Sequence, residues 1–183
     1  HKMVEVKNLV KSYGNIDAVK DISFTARVGE VLGFLGPNGA GKSTTMNIIT
    51  GYLSATSGTV TIDGYDIVDD AKEAKKRIGY LPELPPVYQD MTVEKYLSFM
   101  YELKKVTLPK EEHLNEIMGL CGVDVIKNRI IRNLSKGYRQ RVGVAQALVG
   151  NPPVIILDEP TVGLDPKQII EMRALIKNLG KKH

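Results

Sequence analysis

The sequence has a single cysteine, Cys121, so no disulfide can close within the chain. That thiol falls in the apolar pattern of a predicted helix, where it packs as a small hydrophobe, and a reducing cytosol is its natural setting. Long apolar runs are also missing. The longest, residues 31–35 and 152–157, are strand-sized, whereas a membrane-spanning helix needs about 20 apolar residues. Any membrane role would therefore come through a partner chain. No charged and apolar leader opens the sequence; it begins His1-Lys2-Met3, and Met3 is expected to be the native start behind two tag residues. A concentrated charge of one sign is absent too. The net charge of +4 comes from 25 Lys and Arg against 21 Asp and Glu, with only short basic runs such as Lys75-Lys76-Arg77. Nucleic-acid binding calls for a basic stripe, so no nucleic-acid partner is expected.

What is present points to one globular domain: 183 residues, 43% hydrophobic and 25% charged. Its organising stretch is Gly36, Pro37, Asn38, Gly39, Ala40, Gly41, Lys42, Ser43 and Thr44, which reads G-x-x-x-x-G-K-[ST]. The glycines let the backbone curl with N–H groups inward around phosphates. Lys42 adds positive charge for the β- and γ-phosphates, and the Ser43 hydroxyl suits Mg²⁺. Context supports the motif. Val31-Leu32-Gly33-Phe34-Leu35 has the character of a buried parallel strand, and residues 43–50 can wind into a helix whose N-terminal dipole faces the phosphates.

Ahead of that loop, residues 3–9 alternate as a half-exposed strand, Lys11-Ser12-Tyr13-Gly14 is expected to turn, and residues 22–28 alternate again before Gly29-Glu30. An aromatic at Tyr13 could stack on a nucleotide base or simply pack at a sheet edge. After the loop, residues 58–64 form a glycine-bounded strand and turn, 71–77 a polar helix, and 78–81 a strand. Pro82-Glu83-Leu84-Pro85-Pro86 ends that strand as an irregular connector.

From Thr92 the pattern turns helical. Val93, Tyr96, Leu97, Met100 and Tyr101 share a face behind an N-cap threonine, and Leu114, Ile117, Met118 and Cys121 repeat the spacing up to Gly122. His113 is read as lying on the polar side of that second helix. A third helix should start at Ser135, within Leu134-Ser135-Lys136-Gly137, and break at Asn151-Pro152-Pro153. Val154-Ile155-Ile156-Leu157-Asp158-Glu159 follows as a buried parallel strand with two carboxylates at its C-terminal edge, where α/β sheets bind ligands. Asp158 suits Mg²⁺, and Glu159 can polarise a water for in-line attack on a γ-phosphate. Asp165 then N-caps a last helix with Pro166 in its first turn and Ile169, Met172, Ile176 and Leu179 along one face; Gly180 can stop it.

Taken together, these motifs resemble the ATP-binding cassette (ABC) nucleotide-binding domain over essentially residues 3–183. The P-loop, a Q-loop region at Gly79-Tyr80-Leu81-Pro82-Glu83, a signature at Leu134-Ser135-Lys136-Gly137-Tyr138-Arg139-Gln140-Arg141, the Walker B strand and a D-loop at Gly163-Leu164-Asp165 stand in the family's order. The resemblance implies an α/β P-loop NTPase core with a mostly parallel sheet, an N-terminal antiparallel β region and an inserted helical subdomain, the core being 3–83 plus 151–183 and the subdomain 84–150. It implies ATP and Mg²⁺ as ligands, with Tyr13 on adenine, and Ser135 and Gly137 capping the ATP of a second copy or a homologous subunit, head to tail. It also implies ATP hydrolysis, coupled to a transmembrane permease on a separate chain, at the cytoplasmic face of the membrane. Glu83 stands where the family has a glutamine, and Lys136 and Tyr138 replace signature residues, as in the branch that includes multidrug and antibiotic exporters. A carboxylate at Glu83 can still face Mg²⁺ or the attacking water. The family's switch histidine follows a further strand, so His183 is read as a surface residue, like His1. Two other readings compete: a soluble cassette ATPase acting on ribosomes or DNA, and a nucleotide-binding module without turnover.

Overall fold

The computed structural model describes residues 2–13, 16–27, 31–34, 49, 55, 57–80, 88–158 and 160–182. The first layer is antiparallel. Strands β1 (Lys2–Tyr13) and β2 (Ile16–Arg27) form a long hairpin, and β4 (Ser57–Ile62) and β5 (Tyr65–Asp66) extend it in the order β2-β1-β4-β5. Val4, Val6 and Leu9 of β1 are all buried. Strict alternation would turn Leu9 outward, three residues after Val6. Register shifts on both sides of the strand and a left-handed Asn8 (φ 51°) form a bulge that returns it to the core. Asp63 and Gly64, at φ 51° and 82°, supply the tight two-residue turn into β5 that an Asp-Gly pair favours.

The expected turn at Lys11-Ser12-Tyr13 is instead strand. Lys11 pairs with Val19, Ser12 with Asp17 and Tyr13 with Ile16, so β2 also begins six residues earlier than its alternation suggests. Cross-strand hydrogen bonds hold these polar residues extended, and their local composition carries no sign of that.

The second sheet is parallel throughout, in the order β3 (Val31–Phe34), β7 (Val154–Asp158), β6 (Ile78–Tyr80). Ile155 and Leu157, two residues apart on the central strand, share one face and are both buried. Helix α1 (Ala71–Lys76) precedes β6. Of the helix expected over 43–50, the described part is Ile49, helical and buried.

Four α-helices complete the described chain: α2 (Val93–Leu103), α3 (Lys110–Cys121), α4 (Lys136–Leu148) and α5 (Pro166–Lys182). The predicted caps are in place. Thr92 accepts the Lys95 N–H at 3.2 Å, and Gly122 ends α3 in the left-handed conformation at φ 68°. Gly180, by contrast, stays helical within α5, because a glycine stops a helix only where the chain leaves right-handed geometry. One hydrophobic cluster runs from Val93 of α2 through α3 and α4 to Ile155 of β7 and Leu179 of α5. Helix α4 lies directly on the parallel sheet. A Cβ on Gly79 of β6 would stand 2.0 Å from the Ala147 carbonyl oxygen, so glycine is required for that approach.

Candidate functional site

The parallel register determines what meets at the C-terminal edge of the second sheet. Phe34, two residues before Gly36, pairs with Asp158, and Tyr80, three residues before Glu83, pairs with Ile156 of the same central strand. The chain therefore leaves β3 for the phosphate motif, β6 for the Q-loop region and β7 for Glu159 at one edge. In open α/β sheets this is the edge that binds ligands. Asp158 is described as the last residue of β7. The side chains of Tyr13 and Asp158 lie outside the described residues, as do Gly36, Pro37, Asn38, Gly39, Ala40, Gly41, Lys42, Ser43, Thr44, Glu83, Glu159 and His183.

The signature turn is described in full. Ser135 is the N-cap of α4, with extended backbone (φ −61°, ψ 160°), and its Oγ accepts the Tyr138 N–H at 3.2 Å. Ser135 and Lys136 are exposed, while Gly137 is buried. Its burial has a cause within the chain: the Gln168 side chain lies on it, and a Cβ there would stand 2.8 Å from Gln168 Nε2. No acidic residue occupies the first turn of α4. Lys136 there works against the helix dipole, by about 0.3–1 kcal/mol in exposed settings, so helix stability does not explain its presence.

Asp165 caps α5 as expected. Its Oδ1 accepts the Gln168 N–H at 2.8 Å, and Gln168 Oε1 accepts the Asp165 N–H at 3.2 Å, a reciprocal capping box. Gln168 was not among the expected site residues, although the Asp-x-x-Gln spacing at 165–168 is the signal for it.

At the opposite end of α4 lies a partly buried polar cluster. The Lys104 ammonium donates to the carbonyl oxygens of Gln146 (2.8 Å) and Val149 (3.4 Å), capping the last turn. Burial lowers its pKa to about 8. His113 is buried, contrary to its expected place on a polar face, and its Nε2 accepts the Gly150 N–H at 2.9 Å. Position 113 shares its helix face with Ile117 and Cys121 at four-residue spacing, which its polar neighbours Glu111 and Glu112 conceal. Burial lowers the imidazole pKa, Glu116 opposes that shift, and Lys104 adds to it. Cys121 is buried as expected, and burial pushes its thiol up to about 12.

A parallel sheet carrying G-x-x-x-x-G-K-S after one strand and Asp-Glu at the end of its neighbour defines a P-loop nucleoside triphosphatase fold. The ABC transporter family model matches residues 19–162, and the chain belongs to that family. It is 41% identical over 181 residues to the uncharacterized ABC transporter ATP-binding protein YhcH of Bacillus subtilis, a match covering 98% of this chain and 58% of YhcH. To the bacitracin transport ATP-binding protein BcrA of Bacillus licheniformis it is 36% identical over 180 residues, covering 98% and 58%. The chain thus spans less than two thirds of the length of both relatives. Among solved structures it resembles MJ1267, an ATP-binding cassette of an ABC transporter, with a TM-score of 0.85 and 28% identity over 100% of this chain and 78% of MJ1267. Among the described residues, no helix is long and apolar enough to cross a membrane.

Proposed function

We propose that this chain is the ATP-binding and ATP-hydrolysing part of a membrane ABC transporter, acting as a head-to-tail dimer with a second copy or a homologous subunit. The observation that supports the reading is the parallel register of β3, β7 and β6, whose C-terminal ends lie at one sheet edge and are followed in sequence by the P-loop, the second Walker B carboxylate and the Q-loop glutamate. In this reading the backbone N–H groups of 36–44 and Lys42 bind the phosphates, Tyr13 stacks on adenine, and Glu159 orients the attacking water. Ser43, Asp158 and Glu83 are hard oxygen donors and fit Mg²⁺, which would neutralise phosphate charge. Ser135 and Gly137 would meet the ATP held by the other chain, and Asp165 holds the intervening turn in shape.

Residues 84–150 would form the helical lobe on a core of 3–83 and 151–183. Near its start, the Tyr88 ring packs 5.6 Å from Tyr96 and 5.4 Å from Phe99, centroid to centroid. Phe99 is 38% and Leu103 60% exposed on the same helix. This aromatic ledge, reached by the chain just after Glu83, suits a transmembrane permease on a separate chain, and the site of action is then the cytoplasmic face of the membrane. Export is the proposed direction, from the likeness of Glu83, Lys136 and Tyr138 to the branch that includes multidrug and antibiotic exporters.

Glu159→Gln in the full-length protein tests the reading. Turnover should fall by about 100-fold or more, while MgATP still binds and an ATP-bound dimer accumulates. Undiminished hydrolysis would refute the assignment. For the partner surface, Phe99→Asp with Leu103→Asp should abolish co-purification with the permease, and retained assembly would sink that part.

A further inference from the structure

Two side chains join the first turn of α4 to the stretch that leaves β7 and opens α5, and each lies on a glycine of the opposite side. Lys136 lies along Gly163. A Cβ built on Gly163 would stand 2.5 Å from Nζ, 2.8 Å from Cε and 3.1 Å from Cδ of the lysine, and its φ of 77° disfavours any side chain as well. In the other direction, Gln168 lies along Gly137, with Nε2 at 2.8 Å and Cδ at 3.1 Å from a Cβ there. The amide cannot be reversed, because its Oε1 accepts the Asp165 N–H while the Asp165 carboxylate accepts the Gln168 N–H. One turn along the two helices, Arg141 Nη2 reaches Glu171 Oε2 at 3.5 Å.

The seam therefore starts at Lys136, whose cation opposes the dipole of its own helix and whose outer stem is laid over a glycine held at a positive φ that disfavours any side chain. The segment it touches leaves β7 immediately after the two carboxylates. We propose that Lys136 is a positioning residue, with Gln168 as its counterpart, that ties the signature turn at 135–137 to the 160–165 segment. A shift at the carboxylate end of β7 is then carried to the signature within one chain. This inference rests on the ATPase reading for its effect on turnover, but the tether itself does not.

The test compares Lys136→Ala with Lys136→Arg in the full-length protein. Lys136 is exposed, so both variants should fold, with thermal melting no lower than that of the unsubstituted protein as the control. Without nucleotide, amide hydrogen exchange over 161–165 and 136–139 should quicken about threefold or more in Lys136→Ala and stay native in Lys136→Arg. With MgATP, kcat should drop about fivefold in the alanine variant while KM moves by less than about twofold, and arginine should rescue it. Unchanged exchange in Lys136→Ala overturns the tether. Faster exchange with unchanged kcat overturns the positioning role. If the unsubstituted protein hydrolyses no ATP, the ATPase reading fails and the exchange rates still decide the tether.

Discussion

The two ends of helix α4 solve the same problem in opposite ways. Every helix leaves polar backbone groups without intrahelical partners at each terminus. At the N-terminal end, Ser135 caps locally through its own hydroxyl; Ser135 and Lys136 stay exposed, while Gly137 is covered by Gln168. At the C-terminal end, Lys104 and His113 arrive from two other helices to cap and bond residues 146, 149 and 150. The C-terminal end packs the helix closely against the parallel sheet, where the Ala147 carbonyl meets Gly79. The N-terminal end leaves Ser135 and Lys136 exposed, so one helix is held at one end and open in part at the other.

The largest effect should come from the C-terminal end, at His113. His113→Ala removes the acceptor of the Gly150 N–H and leaves a void, and should cost roughly 2–4 kcal/mol of unfolding free energy in denaturant titration. The same contact is pH-dependent. The folded imidazole has a lowered pKa, so its contribution is complete above the unfolded value of about 6.5. It is lost as pH falls from there through the folded value. His113→Gln, which can still accept the N–H, should lack that acid sensitivity in melting scans.

Next in size is Lys104, with a pKa lowered to about 8. Between about 8 and 10.5 the unfolded chain holds a proton that the folded one has released, so stability should rise with pH by up to roughly 1 kcal/mol per unit. Lys104→Met should flatten that rise; an identical slope in both proteins would contradict the buried ammonium.

At the open end the expected change is smaller. Ser135→Ala loses one cap and should cost about 1 kcal/mol, which thermal melting can register. The smallest effect is a refusal to react: Cys121, with its thiol pushed up to about 12, should resist alkylation at pH 8 until the protein is unfolded. Ready modification of the native protein would mean that the α3 and α4 packing opens.

The contrast between the ends also separates what was legible from what was not. Thr92, Ser135, Gly122 and Asp165 were all readable as caps, because capping chemistry acts over three or four residues and leaves its spacing in the sequence. Lys104 offered no local signal, since its acceptor at Gln146 lies 42 residues away, and the His113 partner lies 37 away. The strand at 11–13 was hidden likewise, its extended backbone being held by pairing with 16–19.

By itself, the sequence determined the phosphate motif, the paired carboxylates, the signature and the alternation of strands and helices around them, since each is written in neighbouring residues. Tertiary structure alone decided that β7 stands between β3 and β6, that Gly137 is covered by Gln168, and that a lysine and a histidine from other helices bond the end of α4. Those outcomes depend on which distant surfaces meet, and burial and strand pairing are settled by packing across the whole core.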